Sequence, residues 1–315
     1  SGLLCKEPII ADGEVHRFAP DGKGNKNGWY VLFEHGGCYG NWSLGTNEKW
    51  SAANQHLTYE QKQCLQEKIA RAKAARDKEI AERQAKTSAM ASVLWDKLLD
   101  VGTSKYLERK QVQAFGLRYN EQSVVVPLFD IAGKLWSLQF IYHNGKKRFL
   151  KYGRKKGCFH VVGDLGNSNE IFVAEGYATS ASIFMATGKP VIVCFDAGNL
   201  SPVISVIKSK RPDVAITIAG DDDIWPKEDG KISNIGRKKA EESAAKYGCK
   251  VIFPEFSETI KKEGQPTDFN DLHILAGLEE VSRQLLPKIM EPLKPKLPPG
   301  FIQNKKGLYF DKGDG

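Results

Sequence analysis

"EIFVAEGYATSASIFMATGKPVIVCFDAGNLSPVISVIKSKRPDVAITIAGDDD", residues 170–223, decides the fold. It holds three short runs, "EIFVA", "PVIVCF" and "DVAITIA", that are apolar without alternation. Two helical stretches, "YATSASIFMATG" and "LSPVISVIKSKRP", separate them. Strands apolar on both faces, alternating with helices, build a parallel sheet joined by right-handed crossovers. A further helix, "NIGRKKAEESAAKYG", and a further strand, "CKVIFPEF", continue the pattern. Residues 169–287 are therefore expected to form an α/β domain with a Rossmann-like parallel sheet.

The acids of this region fall at the strand ends. Glu175 closes the first strand, Asp196 the second, and Asp221, Asp222 and Asp223 the third. Ligands of open parallel sheets gather outside the carboxyl ends of the strands, so these acids converge on one edge. Two carboxylates about 4 Å apart repel by ~1 kcal/mol in water and ~4 kcal/mol near a protein surface. Folding alone gains nothing from that arrangement; a bound positive charge does. If the strand continues through the triplet, Asp221 and Asp223 project to one side and Asp222 to the other. A same-side pair of carboxylates suits an octahedral, oxygen-liking cation. No His or Cys stands among them, which points to Mg²⁺, with Mn²⁺ able to substitute. The bland reading is a solvated turn with a helix cap.

The rest of the chain supplies the opposite charge. Of 315 residues, 46 are Lys or Arg and 38 Asp or Glu, a net charge of +8 that favours a polyanionic partner. Seven basic residues and no acid lie between Lys146 and Lys156: Lys146, Lys147, Arg148, Lys151, Arg154, Lys155 and Lys156. Phe149 and Tyr152 interleave them, so bases can stack where cations meet phosphates. This block sits in residues 101–168, a basic α+β region of alternating strands punctuated by Ala-Gly and Asn-Gly turns. Residues 1–57 read as a small β-rich module. His16, His35 and Cys38 lie in it but do not make up four paired ligands, so no zinc is expected. Residues 58–100 are helical and highly charged, a spacer or an interaction arm, with Val93, Leu94 and Leu98 expected to pack on a domain. Residues 288–315 form a proline-rich linker and the expected start of a following domain. Six dispersed cysteines without a CxxC pair give no disulfide framework, and no apolar run is of membrane-spanning length. A reducing, cytoplasmic setting without membrane association is expected.

These motifs carry a resemblance. "VAEGYATSASIF", followed by a buried strand and then "IAGDDD", resembles the Glu-Gly and Asp-x-Asp motifs of the Toprim domain. With "GWYVLFEHGG", "YLERKQVQAFGLRY", "VVPLFDIAGKLWSLQFI", "KRFLKYGRKKGCFHVVG" and "TDFNDL" in order, the chain resembles the Toprim primases of plasmids, phages and mobile elements, distant relatives of bacterial replicative primase. The resemblance implies that Glu175, Asp221 and Asp223 hold Mg²⁺ and drive nucleotidyl transfer, with Glu175 the acid/base group. It places Asp268 and Asp271 of "TDFNDL" as further metal carboxylates, with helix capping as their alternative. Asp196 and Asn199 contact metal or nucleotide or else shape a turn; Gly236 and Arg237 open the helix after the Asp-x-Asp motif; Arg148 faces template and nucleotide. The sequence departs from replicative primase at Thr179, where that enzyme has a further acid, and in lacking its zinc ligands.

The leading expectation is a DNA primase, acting on a single-stranded DNA template with nucleoside triphosphates and partnered by a helicase or helicase-like domain. The alternatives are a Toprim-type metal-dependent nuclease and a non-catalytic DNA-binding or helicase-associated replication module.

Overall fold

The computed structural model describes residues 5–20, 26–34, 36–41, 46–51, 58–225, 234–286, 301–304 and 307–310. The chain divides into two compact units, residues 1–87 and 88–315. His35 and most of the proline-rich linker lie outside the described residues.

In the first unit, β1 (His16–Phe18), β2 (Gly28–Phe33), β3 (Gly36–Asn41) and β4 (Thr46–Ser51) form an antiparallel sheet in sequential order. Of the zinc candidates there, His16 is engaged with Asp12 at 2.9 Å. Helix α1 (Tyr59–Asp96) then runs unbroken for 38 residues. Strong helix formers and the lack of Gly or Pro explain its length.

The end of α1 belongs to the second unit and corrects one expectation. Val93 and Leu94 face solvent, while Ala91, Trp95 and Leu98 pack on Val125, Leu135 and Leu138. Small residues decided the facing: Ser88 and Ala91 let the helix approach closely, and the Ser88 hydroxyl donates to the Leu135 carbonyl.

Next come α2 (Lys105–Lys110) and an antiparallel sheet of β5 (Arg118–Tyr119), β6 (Ser123–Phe129), β7 (Leu135–Tyr142) and β8 (Lys147–Phe149). After it, β9 (His160–Val162), β10 (Glu170–Ala174), α3 (Tyr177–Thr187), β11 (Val191–Val193), α4 (Leu200–Lys210), β12 (Ala215–Ala219), α5 (Ile235–Tyr247) and β13 (Lys250–Ile252) build the α/β core. Its sheet order is β13-β12-β10-β11-β9, parallel except for β9, which adds an antiparallel edge to the expected sheet. Helices α6 (Glu258–Glu263), α7 (Phe269–Ala276) and α8 (Leu278–Leu285) follow, and β14 (Phe301–Asn304) pairs with β15 (Gly307–Phe310).

The two-sided hydrophobicity of the strands has the predicted consequence. Phe172, Ala174, Val191, Val193 and Ala219 pack on one face against α3, α7 and α8. Ile171, Val173, Ile192, Ile216 and Ile218 pack on the other against Leu200, Val203, Ile204 and Ile207 of α4 and Ala240 of α5. Each fully buried aliphatic side chain contributes about 1.5–3 kcal/mol. This rigid sheet holds the acidic edge in place.

The third strand, however, stops before the triplet. The ladder ends at Ala219, and the Gly220 amide makes one last bond to the Ile252 carbonyl. Gly220 lies so close to its neighbours that a Cβ there would be 2.5 Å from the Phe253 ring and 3.3 Å from the Ala240 methyl. Gly220→Ala is therefore expected to lower stability by about 1–3 kcal/mol through overpacking, measured by chemical denaturation. Gly248→Ala serves as the comparison: open space surrounds it, and its cost comes from a left-handed backbone alone.

Candidate metal centre and nucleic-acid surface

Glu175 leaves the end of β10 just before Gly176, the residue that caps α3. Asp221 follows Gly220 beyond β12, and the Asp222 amide is tied to the Thr267 carbonyl, which brings the segment before α7 alongside. Asp268 caps α7, accepting from the amides of Asn270 and Asp271. Three separate chain segments thus deliver Glu175, Asp221 and Asp268 to one place, with Asp223 within electrostatic reach of the first two.

The electrostatics are those of a site short of positive charge. Burial, then the charges of Asp196 and Asp223, push the Glu175 carboxyl up to about 7. Burial, then Asp268, Glu175 and Asp223, hold the Asp221 carboxyl well above the usual carboxylate range. Burial, then Asp271, also raises Asp268. Glu175 Oε1 and Asp221 Oδ1 are buried and without a hydrogen-bond partner among the described residues. An orphaned carboxylate oxygen is costly and rare unless something else occupies its lone pairs. Room is left for that something. A Cβ at Gly236 would lie 3.2 Å from Glu175 Oε1 and 3.7 Å from the Asp221 Cβ. Oxygen donors of this kind, with a glycine in place of a methyl group above them, fit a hard divalent cation. Among the described residues no three His, Cys, Asp or Glu side chains are grouped closely enough to hold an ion together.

One cation of the protein already leans into this set. In β8, Lys147 pairs with Ile141 and Phe149 with Gln139, so both project to the same side of the strand. Lys147 Nζ lies 3.8 Å from where a Gly176 Cβ would be. Crowding by protein atoms lowers the Lys147 ammonium, and Asp268, Asp221 and Glu175 pull it back up. Arg148, opposite Phe140, projects to the other face. The basic residue that turns to the acids is thus Lys147, and strand alternation is the signal that identifies it.

The remaining candidates separate by their partners. Asp222 has partners of its own, and no strand sets its direction: the carboxylate takes Arg237 at 2.8 Å and the Asn234 amide at 2.6 Å. Arg237 also meets Glu241 and lies 4.1 Å over the Phe253 ring, which makes it a brace at the start of α5. Asp196 pairs with Lys155 and caps the short turn Ala197–Asn199. Asn199 is buried and fully engaged, accepting from the Gly157 amide and donating to the carbonyls of Cys158 and Cys194, each at 2.9 Å. Its geometry is that of a structural clamp. Asp271 turns from the acids to Lys110 at 3.4 Å and the Thr267 amide at 3.0 Å. Around the loop after β8, Arg154 stacks 4.7 Å over Trp136 and Lys151 4.9 Å over Tyr152, while Lys146 and Lys156 are exposed. Thr179 is buried in the first turn of α3. Sequence reading passed over Asn270, buried in α7, which donates to the Lys110 carbonyl and to the Ser182 hydroxyl. It fastens α7 to α2 and α3, and nothing short of the packing could reveal it.

Residues 170–279 match the family described as the Toprim domain. Over 263 residues, 80% of its length, the chain is 37% identical to DNA primase TraC of Escherichia coli. A second Escherichia coli DNA primase TraC is 35% identical over 260 residues. The chain spans 25% of the first and 18% of the second. Among solved structures, the DnaG primase catalytic domain bound to ssDNA is 13% identical, with a TM-score of 0.43, covering 65% of this chain and 79% of that one. That likeness is too slight to bear on function.

The crowding of acids sets a pH dependence for the metal-free chain. Glu175 keeps its proton up to about 7 in the fold, against 4.5 for an ordinary glutamate. A carboxyl raised by folding costs nothing below 4.5, and its cost grows as pH rises to about 7, then levels off. In chelator, Glu175→Gln is therefore expected to melt like the wild-type chain near pH 4.5 and above it beyond pH 7, the gap reaching at most about 3 kcal/mol. Thermal denaturation across that range measures it.

Proposed function

On the premise that the chain carries a Toprim domain within a stretch homologous to DNA primases, we propose that it is a primase unit. It carries out template-directed nucleotidyl transfer and makes short primers on single-stranded DNA for replication of a mobile element. The observation that carries this reading is the pair of buried, unpartnered oxygens, Glu175 Oε1 and Asp221 Oδ1, at the carboxyl edge of the sheet. Mg²⁺ or Mn²⁺ is the ion these donors suit, with Glu175, Asp221 and Asp223 as its holders and Asp268 behind them. A helicase or helicase-like domain is the expected partner in the longer protein.

When bound, such an ion lowers the barrier to deprotonating a 3′ hydroxyl and neutralises charge on departing pyrophosphate. The chain's own residues do the rest. Glu175 takes up the proton from the 3′ hydroxyl as that oxygen attacks the α-phosphate. The bond between the α-phosphorus and pyrophosphate breaks in the same step. Lys147, already held against the acids, meets the triphosphate, where a compact ammonium offsets the anionic load. Lys146, Lys151, Arg154, Lys155 and Lys156 of the same basic block, with Arg148 on the other side of β8, hold the template backbone through phosphate contacts. Arg237 supports the site from α5 by fixing Asp222.

The test is primer synthesis from labelled nucleotides on single-stranded DNA with Mg²⁺ or Mn²⁺. Glu175→Ala, Asp221→Asn and Asp223→Asn are expected to abolish product. Asp222→Asn is expected to keep activity within about tenfold while losing about 1 kcal/mol of stability, since it weakens only the Arg237 pair. A wild-type chain that makes no oligonucleotide sinks the reading. Shortening of labelled DNA without nucleotides would identify a nuclease instead.

A further inference from the structure

Two aromatic residues, one in β8 and one in the loop after it, are partly open to solvent. Tyr152 has φ +65° and is 54% exposed. Left-handed backbone is unfavourable for a bulky residue. The chain shows what it uses when only a turn is wanted: Gly145 at φ +87° and Gly157 at φ +71° flank this loop on either side. At Tyr152 it carries a large ring instead, with Lys151 Nζ 4.9 Å from the ring centre.

Phe149 is the second. It lies on the same side of β8 as Lys147 and is 38% exposed. Its edge meets Phe195 with ring centres 5.9 Å apart and planes at 78°, while Lys155 Nζ lies 5.4 Å from its centre. Phe195 itself has φ +72°, and its amide donates to the Glu175 carbonyl at 2.7 Å. Phe149 therefore rests on a residue bonded directly to the backbone of the leading site acid. The two rings stand among Lys147, Lys151, Arg154 and Lys155 with no acid on the loop itself.

We propose that Phe149 and Tyr152 are base-stacking positions for single-stranded nucleic acid, fixing where the bases of a strand lie relative to Glu175. An aromatic face accepts any base, while neighbouring cations take the phosphates. This deepens the primase reading and rests on it only for the purpose of the strand. The assignment itself concerns binding, and binding needs neither metal nor nucleotide.

The experiment compares two labelled oligonucleotides of equal length, one of thymidines and one of abasic sites, by fluorescence anisotropy with the full chain in chelator at one salt concentration. The wild-type chain is expected to prefer the thymidine strand. Phe149→Ala and Tyr152→Gly are each expected to reduce that preference about fivefold or more. Tyr152→Phe should leave it unchanged, which separates the ring from the hydroxyl. Lys151→Ala should weaken both strands alike. Tyr152→Gly is also expected to melt no lower than wild type, because glycine accepts the left-handed backbone, so loss of binding there cannot be loss of fold. Equal binding of both strands by the wild-type chain, binding of neither, or an unchanged ratio in both variants overturns the assignment. Failure of primer synthesis with the base preference intact overturns the primase reading and leaves this one standing.

Discussion

Repulsion among carboxylates at the carboxyl edge of the sheet is the constraint on which the rest of the structure depends. Glu175, Asp221 and Asp268 are each buried enough to resist ionisation; Asp268 and Glu175 raise Asp221, while Asp196 and Asp223 raise Glu175 and Asp271 raises Asp268. A fold tolerates such a cluster only when its surroundings hold the acids in place regardless. Here the two-sided apolar strands do so, together with Gly220 pressed against Phe253, the Asp222–Thr267 backbone bond, and the Asn270 tie between α7, α2 and α3. Lys147 supplies part of the missing charge from the neighbouring sheet.

Much of this was legible in the residues because the α/β pattern is a local signal. Runs such as "EIFVA" and "DVAITIA" have few other uses, and the carboxyl ends of parallel strands converge by topology alone. Glu175 and Asp221 could therefore be placed together without coordinates. The antiparallel edge strand β9 was not legible, since "HVV" is too short to announce a partner. The facing of the last turns of α1 was also hidden. Ser88 and Ala91 win the contact because they are small, whereas a hydrophobic pattern ranks Val93 and Leu94 first.

The site shows the same division more sharply. Alternation assigned Asp222 to the opposite side from Asp221 on the premise that the strand runs through the triplet. The strand has already ended, and Arg237 and Asn234 hold the carboxylate. Asp268 caps a helix and also belongs to the acidic cluster, so the two readings of that residue were never exclusive. Asn199, by contrast, has its polar groups taken up inside the protein, and the half-exposed Arg237 gives two of its nitrogens to Asp222 and Glu241. A sequence motif records that a residue is needed near a site. It does not record whether the residue faces the ligand or the scaffold.

Backbone strain gives that missing direction. Among the described residues, the non-glycine positions with positive φ are Gln111, Tyr152 and Phe195. Gln111 ends α2, directly after the lysine that pairs with Asp271; Phe195 binds the Glu175 carbonyl and precedes Asp196; Tyr152 lies in the loop that carries Lys155 to Asp196. Gln111 is an ordinary left-handed helix cap, its amide bonded back to α2, whereas Phe195 and the loop of Tyr152 are tied to Glu175 and Asp196. Such residues run at about 1–3 kcal/mol each and persist where surrounding structure overdetermines them. The acids are held against repulsion and their neighbours against torsional preference, both at one edge of one sheet. Strain at Phe195 and uncompensated charge at Glu175 thus meet across a single backbone hydrogen bond.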